Sequence, residues 1–211
     1  QGAMCGNGVR CVAEYLHTHG VQKDRIELDT PGAGRKTLYR VAPHVWRAGM
    51  GRFSARAQDI PAEGLGAGPL LDLPLVAAGR AWRGNCLSMG NPHCVVLCRE
   101  APPEGLELAV WGRALAEHPA FPQGANVEFV RQEGPRALAV TVWERGSGAT
   151  LACGTGACAA AAALVLRGDC PREEEIEVSQ PGGRLQVQVL ADDTVLLTGP
   201  AHTVFEGTVE I

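Results

Sequence analysis

The sequence predicts an α+β fold in which short strands surround two central helices. The first observation is a Cys-Gly-x-Gly motif that occurs twice, at Cys5-Gly6-Asn7-Gly8 and at Cys153-Gly154-Thr155-Gly156. The second is a succession of short alternating segments separated by glycine and proline, which is typical of strands joined by turns. Two helices that begin alike, wrapped by strands, indicate two similar halves with the helices as their cores.

Each motif precedes a stretch with the properties of a helix. Residues 12–16 follow the first motif, which extends to Cys11, and Gly20 is suited to end that helix as its C-terminal cap. Residues 159–166 follow the second motif and are apolar on every side. Because a helix that is hydrophobic all round is buried, the second helix is expected to run through a core.

The segments between the motifs alternate apolar and polar residues as strands do. Strands are predicted at residues 25–30, 37–41 and 44–46. Residues 52–68 are polar and then rich in Gly, Ala and Pro, which favours a crossing between two domains. Alternation resumes at residues 73–82.

The second part of the chain adds one helix and further strands. A polar turn, Gly90-Asn91-Pro92-His93, leads into residues 94–97, a short apolar run typical of a buried strand. Residues 106–118 carry apolar residues at helical spacing and predict an amphipathic surface helix. Further strands are expected at residues 127–130, 138–143, 175–178, 185–190, 194–197 and 204–211.

The composition excludes some classes of protein. The net charge of the 211 residues is −4 at pH 7, which argues against a nucleic-acid or anionic-membrane binder, since such a protein needs a basic stripe. No apolar run reaches the length of a membrane span. The eight cysteines contain no Cys-x-x-Cys pair, so we expect reduced thiols and a cytoplasmic protein.

The start of each motif helix is a predicted site for chemistry. Its glycines let a ligand approach the backbone, and the free N–H groups of a first helical turn attract anions. The same field favours thiolate over thiol, so Cys5 and Cys153 are expected to ionise easily. Cys11 and Cys158, inside the helices, are expected to pack against neighbours. The remaining cysteines are interpreted as core or surface residues: Cys86, Cys94, Cys98 and Cys170.

The other polar candidates indicate a ligand that is not a metal. No metal site is expected, because His93 and Cys94 are adjacent and the motif cysteines lack a second ligand at zinc-finger spacing. His93, in its polar turn, is expected to face a cleft. Glu144 and Arg145 lie between a strand end and a glycine-rich anion site. Arginine can bind a carboxylate with two hydrogen bonds and glutamate can accept from an ammonium group, so this pair would suit an amino acid.

Four segments together carry a resemblance to a known family. They are Met4-Cys5-Gly6-Asn7-Gly8-Val9-Arg10-Cys11, Gly90-Asn91-Pro92-His93, Glu144-Arg145-Gly146-Ser147-Gly148 and Ala152-Cys153-Gly154-Thr155-Gly156-Ala157-Cys158. In order and spacing they resemble the diaminopimelate epimerases, cofactor-independent enzymes that supply lysine and a peptidoglycan precursor. The resemblance runs from Met4 to the end of the chain, where Leu197-Thr198-Gly199-Pro200-Ala201 also fits.

The resemblance implies the interconversion of LL- and meso-2,6-diaminopimelate by inversion of one α-carbon, without a cofactor. One cysteine removes the α-proton as thiolate and the other returns a proton as thiol. Cys5 and Cys153 match that catalytic pair, and His93 and Glu144 match the residues that tune the two thiols. The substrate-binding residues that the resemblance implies are Gly6, Asn7, Asn91, Asn126, Glu144, Arg145, Gly154 and Thr155.

The resemblance also implies two pseudo-symmetric halves, each a barrel-like mixed sheet around one helix, with the active site between them. The expected division places residues 1–50 and 200–211 in the N-terminal half and residues 51–199 in the C-terminal half. Family members have several dozen residues before the first cysteine motif that are absent from this sequence. The first half is therefore expected to be incomplete, and the chain to be a truncated or partly recorded enzyme with little activity unless the missing piece is supplied.

Three alternatives stay open. Proline racemases share the two Cys-Gly-x-Gly starts, although the Glu-Arg-Gly-x-Gly and Asn-Pro-His segments favour the epimerase. A non-catalytic module would bind the amino acid without exchanging its α-hydrogen, and a dithiol oxidoreductase would need a reactive pair on one helix. The expected partners are a small-molecule substrate, diaminopimelate, with no nucleic acid and no membrane. A homodimer is left open.

Overall fold

The structure is a computed structural model that describes residues 5–62 and 68–209. Met4 of the first motif, part of the predicted crossing at residues 52–68, and the last two residues of the predicted strand 204–211 lie outside the described residues.

Three α-helices and twelve strands make up the described part of the chain. The helices are α1 (Gly6–Thr18), α2 (Gly105–Ala116) and α3 (Gly154–Arg167), and a short 3₁₀ turn covers Ala57–Asp59. The strands are β1 (Arg25–Thr30), β2 (Gly34–Ala42), β3 (Val45–Arg52), β4 (Leu73–Ala77), β5 (Arg80–Ser88), β6 (Pro92–Leu97), β7 (Asn126–Gly134), β8 (Ala137–Glu144), β9 (Gly148–Thr150), β10 (Glu175–Gln180), β11 (Gly183–Val189) and β12 (Thr194–Pro200).

The twelve strands form one continuous mixed sheet. Its order is β1-β2-β3-β12-β11-β10-β8-β7-β6-β5-β4, with β9 paired to β8. Neighbouring strands are antiparallel except for two parallel pairs, β6 with β7 and β8 with β10. The α+β architecture predicted from the sequence is confirmed.

The helix α3 is buried inside the sheet. Residues 154–165 are all buried, and α3 packs against β5, β6, β7, β8, β10, β11 and β12. Five consecutive alanines at residues 159–163 keep the helix thin enough for strands to approach it closely. Gly168, with φ of 81°, caps its C-terminus in the left-handed conformation.

The helix α1 packs beside α3 against β3 and β12. It ends at Thr18, and Gly20 follows the cap with φ of 103°. The Val21 N–H donates to the Leu16 carbonyl at 2.9 Å, which is the long bond of a Schellman motif. The predicted role of Gly20 at this helix end is therefore confirmed.

The central strands are buried on both faces, which explains the continuous apolar run at residues 94–97. On β6, Val95 belongs to the core around α3, whereas Cys94 and Val96 belong to a second core that includes Leu108 and Leu115 of α2. The predicted amphipathic helix is thus present, and its apolar face covers the sheet from outside.

Three sequence predictions are corrected by the fold. Residues 204–209 are exposed and irregular, and they pair with no strand in the described part of the chain. His44 is not part of a strand: with φ of 59° it forms the two-residue turn between β2 and β3. His93 is not in the polar turn, since β6 begins at Pro92.

The predicted domain division stays a prediction. Its two boundaries, near Met50 and Gly199, fall within β3 and β12, which are antiparallel neighbours in the sheet. None of the helices in residues 5–62 and 68–209 is long and apolar enough to cross a membrane.

Candidate active site

A cavity of about 600 Å³ lies where the N-termini of α1 and α3 meet. Ten of the eleven site residues predicted from the sequence line this cavity. They are Cys5, Gly6, Asn7, Asn91, Asn126, Glu144, Arg145, Cys153, Gly154 and Thr155. The eleventh, His93, is fully buried in β6 behind the wall.

The two cysteines cap their helices with the same geometry. Cys5 precedes α1 with φ and ψ of −131° and 108°, and Cys153 precedes α3 with −129° and 116°. Each Sγ accepts a hydrogen bond from the N–H three residues later, from Gly8 at 3.3 Å and from Gly156 at 3.4 Å. Both thiols therefore receive the same favourable contact with a helix N-terminus.

The two helix starts touch through their first glycines. A Cβ on Gly154 would lie 3.2 Å from the Gly6 Cα, and a Cβ on Gly6 would lie 3.4 Å from the Gly154 Cα. The Leu197 Cδ2 of β12 closes the same space, at 2.9 Å from a Cβ on Gly6. Only glycine at both positions lets the backbones approach this closely. The N–H groups of both first turns, which have no intrahelical acceptor, thus lie at one cavity.

The environments of the two thiols differ. Cys5 is exposed, whereas Cys153 is 7% exposed. Burial, reinforced by the carboxylates of Glu128 and Glu144, raises the pKa of Cys153 to about 12, against the hydrogen bonds from Thr155 and Gly156 that lower it. The prediction that Cys153 ionises easily is therefore wrong, because desolvation of the thiolate outweighs the field of the helix.

The sequence prediction for the cysteines inside the helices is half right. Cys158 is fully buried in α3, and burial raises its pKa well above the usual value. Cys11 is exposed on the outer face of α1 and does not pack into the core.

The hairpin between β8 and β9 brings Glu144 and Arg145 to the cavity. The Thr150 hydroxyl donates to Glu144 Oε1 at 2.6 Å. Asn126 Oδ1 accepts from the Arg145 backbone N–H at 2.8 Å, and the Arg145 side chain donates to the Gln123 carbonyl at 3.0 Å. These contacts fix one carboxylate and one guanidinium at the rim, which is the pair of charges complementary to an amino acid.

Behind the cavity wall, each ring nitrogen of His93 lies within hydrogen-bonding distance of a side-chain oxygen. Its Nδ1 lies 2.7 Å from Glu128 Oε1, and its Nε2 lies 3.1 Å from Asn91 Oδ1. Because Asn91 lines the cavity, these three side chains connect a buried carboxylate to the site. The expectation that His93 itself faces the cleft is corrected by this burial.

Three buried residues near the site were missed in the sequence. Glu128 lies within an apolar run. The sequence feature that could have identified it is its position two residues after Asn126, which places both side chains on the same face of the strand. Gln180 clamps Cys153: its Oε1 accepts from the Cys153 N–H at 3.1 Å and its Nε2 donates to the Cys153 carbonyl at 3.2 Å. Arg10 is 4% exposed and donates to the Gly6 carbonyl and to Asn7 Oδ1, each at 3.0 Å.

The cavity wall also includes two cationic residues on the hairpin of β2 and β3. They are Lys36 and Arg52. Burial lowers the pKa of Lys36. Within residues 5–62 and 68–209, no group of three or more His, Cys, Asp or Glu side chains is arranged to hold a metal ion.

Comparison with known proteins relates this chain to one family. The family model described as diaminopimelate epimerase matches residues 85–204. A diaminopimelate epimerase of Synechocystis sp. is 42% identical over 99% of this chain and 74% of that protein. One from Acaryochloris marina is 41% identical over 98% of this chain and 74% of that protein, and one from Moorella thermoacetica is 39% identical over 97% and 73%.

Solved structures share the fold at lower identity. A probable proline racemase from Agrobacterium radiobacter K84, with bound carbonate, aligns with a TM-score of 0.73 at 19% identity, over 99% of this chain and 68% of that chain. A hydroxyproline epimerase from Agrobacterium vitis, with bound trans-4-hydroxy-L-proline, aligns with a TM-score of 0.70 at 18% identity, over 94% and 64%. These likenesses show the predicted fold of sheets around central helices.

Proposed function

The chain belongs to the diaminopimelate epimerase family, and we propose that it interconverts LL- and meso-2,6-diaminopimelate by inverting one α-carbon. The observation that carries this proposal is the pair of cysteine-capped helix starts that meet at one cavity. An inversion needs a base on one side of the α-carbon and an acid on the other. Two thiols with the same cap geometry, at the ends of two different helices, can supply both.

We assign the proton transfers to Cys5 and Cys153. One enters the reaction as thiolate and removes the α-proton, and the other, as thiol, delivers its proton to the opposite face of the carbon. After one turnover the protonation states of the two cysteines are exchanged, so the reverse reaction starts from the product form. Each direction therefore uses the same two residues in opposite roles.

The helix starts supply the charge stabilisation that the reaction needs. The α-carboxylate would accept from the first-turn N–H groups of Gly6, Asn7, Gly154 and Thr155. As the α-proton leaves, negative charge spreads onto this carboxylate, and fixed N–H groups stabilise that charge without reorganising. Enclosure of the substrate strengthens these contacts, since water would otherwise weaken them.

The rim of the cavity would hold the charged groups of the substrate. Glu144 would accept from the α-ammonium group, and Arg145 would bind the distal carboxylate with two hydrogen bonds. Asn91 and Asn126 would complete the contacts with the distal amino-acid end. A substrate with amino-acid groups at both ends uses both sets, which would explain selection over simple amino acids.

We propose that Glu144 and His93 tune the two thiols through different contacts. Glu144 is a carboxylate that disfavours the thiolate of Cys153. His93 reaches the site through Asn91. We also propose a reducing compartment, the cytoplasm, because oxidation of either thiol would stop both proton transfers.

The test is α-hydrogen exchange. The protein is incubated with LL-diaminopimelate in D₂O, and deuterium at the α-carbons is followed by NMR, with Cys5→Ala and Cys153→Ala as variants. We expect slow incorporation together with formation of the meso isomer by the wild type, since the sequence predicts little activity for this chain, and loss of epimerisation in both variants. Exchange that survives in either variant at the wild-type rate would contradict the two-thiol assignment.

The same experiment separates the alternatives. A panel that includes proline and trans-4-hydroxyproline distinguishes a racemase of cyclic amino acids, which would exchange those compounds and leave diaminopimelate unchanged. A binding module would show saturable binding of diaminopimelate by calorimetry with no exchange. The wild-type chain is used in every arm, so the outcomes are compared on one protein.

A further inference from the structure

Glu128 is a buried carboxylate to which the proposed mechanism gives no role. Its side chain is fully buried on β7, and its Oε2 has no hydrogen-bond partner in the described part of the chain. Burial, together with the charge of Glu144, raises the pKa of Glu128, while His93 lowers it. A buried charge with one oxygen unpaired is unfavourable for folding, so its presence beside a cavity calls for a functional reason.

The strand face places Glu128 against the start of α3. Alternate residues of β7 share a face, and Val130 on the same face as Glu128 belongs to the core around α3. A Cβ on Gly156 would lie 2.8 Å from Glu128 Oε1 and 3.3 Å from the Cys153 Cβ. Gly156 is also the residue whose N–H donates to the Cys153 thiol. The carboxylate therefore lies under the same helical turn that holds Cys153.

The second partner of Glu128 is His93. With Nδ1–H donating to Glu128, Nε2 is the ring nitrogen on the side of Asn91 and the cavity. A carboxylate on one nitrogen of an imidazole fixes both its ring orientation and the position of its proton. Glu128 thus contacts one tuning residue directly and faces one catalytic thiol.

We propose that Glu128 is a positioning residue of this reaction: it holds the proton on Cys153, so that Cys153 is the thiol and Cys5 the thiolate when substrate arrives, and it fixes His93 with Nε2 toward Asn91. The reaction requires one thiolate and one thiol, and a negative charge beside Cys153 adds to the effect of its burial in keeping the proton on that cysteine. Because Glu128 lies under the turn of α3 that Cys153 caps, its charge adds to the difference that burial already makes between the two cysteines. The catalytic consequence rests on the proposed epimerase function.

Other groups around Cys153 set the background for this effect. Glu144 from β8 acts in the same direction as Glu128, and the Thr155 hydroxyl acts against it. Cys158 lies one turn further along α3, and Arg10 of α1 interacts with Cys5, Cys11 and Cys158. Cys94 on β6 is a buried thiol in the second core, on the other face of the sheet; its hydrogen bond with Cys86 and its burial raise its pKa most, and the charge of Glu128 adds to this effect.

The test is the titration of Cys153 in Glu128→Gln. Glutamine keeps the size of the side chain and an oxygen that accepts from the His93 Nδ1–H, and it removes only the charge. Glu14→Gln is the matched control, because Glu14 is also buried and accepts from a histidine Nδ1, that of His44, at 2.7 Å, but lies away from the cavity. Alkylation of each cysteine by iodoacetamide is followed against pH by peptide mass spectrometry, with Cys11 as an internal reference.

We expect Glu128→Gln to shift the Cys153 profile to lower pH by about one unit. The alkaline limb of kcat/KM should move in the same direction, because the proposed acid then loses its proton at lower pH. The Cys153 profile in Glu14→Gln and the Cys11 profile in both variants should not move. A folded Glu128→Gln protein with the wild-type Cys153 profile would overturn the proposal.

A second measurement on the wild type tests the proposal without relying on the variant. If Glu128→Gln does not fold, ¹⁵N-histidine NMR of the wild type tests the other half of the proposal: a His93 Nδ1 without a proton at alkaline pH would overturn it. The titration uses no substrate, so it is independent of the epimerase assignment. If the Cys153 profile shifts in Glu128→Gln as expected but the wild type exchanges no α-hydrogen of diaminopimelate, only the proposed function is refuted. If the wild type exchanges the α-hydrogen but the Cys153 profile does not shift in Glu128→Gln, only the role of Glu128 is refuted.

Discussion

Gly154 packs directly on Gly6, so that each of the two motif helices begins against the backbone of the other. The contact joins α1, near the start of the chain, to α3 in its second half. It sets the separation of the two helix N-termini, and with it the positions of Cys5 and Cys153 on the cavity wall.

A side chain at this contact should separate the two helix starts. We expect Gly154→Ala to destabilise the fold by about 1–3 kcal/mol, because the new Cβ would lie 3.2 Å from both the Gly6 Cα and the Leu197 Cδ2. Displacement of one thiol from its working position should reduce kcat by about 100-fold. Urea unfolding and the deuterium-exchange assay measure the two effects. Gly49→Ala is the control, since a Cβ there would lie 3.8 Å from its nearest neighbour, the Thr37 carbonyl oxygen. If Gly154→Ala behaves like the wild type in both assays, the contact between the glycines does not position the site.

The clamp of Gln180 on the Cys153 backbone should matter for both stability and activity. In Gln180→Leu the buried backbone N–H and carbonyl of Cys153 both lose their hydrogen bonds to the side chain at position 180. We expect a loss of about 1–3 kcal/mol in the free energy of unfolding and a fall in kcat with little change in KM. In Gln188→Leu, which removes a hydrogen bond to the Glu173 carbonyl on the exposed side of the sheet, stability should change by less than about 0.5 kcal/mol. Equal losses in the two variants would argue against a special role for the clamp.

The unequal burial of the two catalytic cysteines predicts the order in which they react. With its pKa raised to about 12 by burial, Cys153 is almost entirely protonated at pH 8. Iodoacetamide at that pH should therefore label the exposed Cys5 and Cys11 well before Cys153. Peptide mass spectrometry over a time course gives the order, and early labelling of Cys153 would contradict it.

The pH dependence of stability should report on Glu14. Burial raises the pKa of this carboxyl, but hydrogen bonds from Trp46 and His44 outweigh it, so the pKa lies below its usual value. A carboxyl whose pKa is lower in the folded than in the unfolded protein stabilises the fold when the pH is above its pKa in the unfolded chain, near 4.3. This contribution is lost as the pH falls to the pKa of the group in the folded protein. Urea unfolding should show a loss of stability below about pH 4.3 that is smaller in Glu14→Gln. An identical acid limb in both proteins would remove Glu14 from the explanation.

Arg145 should determine affinity for the substrate more than the rate of proton transfer. We expect Arg145→Met to raise KM for diaminopimelate by about 10- to 100-fold with a smaller change in kcat, because a charged bidentate contact is lost away from the reacting carbon. Arg131→Met removes a surface ion pair with Glu133 on the same sheet and should leave both constants near the wild type. A fall in kcat alone would place Arg145 in the chemistry and not in binding.

The parts of the fold that follow from local pattern were predictable. The all-round apolar run after Cys153 predicts a buried helix, and α3 is buried throughout residues 154–165. Strand alternation predicted most of the sheet, because side chains on a strand face opposite sides. Residues 204–209 also contain the β-branched and aromatic residues that are common in strands, but a strand exists only beside a partner, which local composition does not reveal.

The site shows the same division between local and distant causes. Sequence motifs located the cavity residues, since helix caps and turns are encoded by neighbours in the chain. Glu128 was missed because it becomes a site residue only by packing under the start of α3, which is distant in sequence. Within the apolar run of β7, nothing local marks a single carboxylate as functional. The helix field on Cys153 is worth at most about 1–2 kcal/mol, whereas burial can shift a pKa by several units, and the extent of burial is a property of the whole fold.

The enclosure of α3 constrains the order in which the chain can assemble. A helix with sheet on several sides cannot enter after those strands have closed around it. The strands β4–β8 precede α3 in the chain and β10–β12 follow it, and the parallel pair of β8 and β10 is the seam between the two groups. That seam is joined through α3 itself, as in a βαβ crossover, so we expect it to form together with, or after, the packing of the helix on the earlier strands. The alanines of α3, which lose no side-chain entropy on ordering and favour helix strongly, suit a segment that must be in place early.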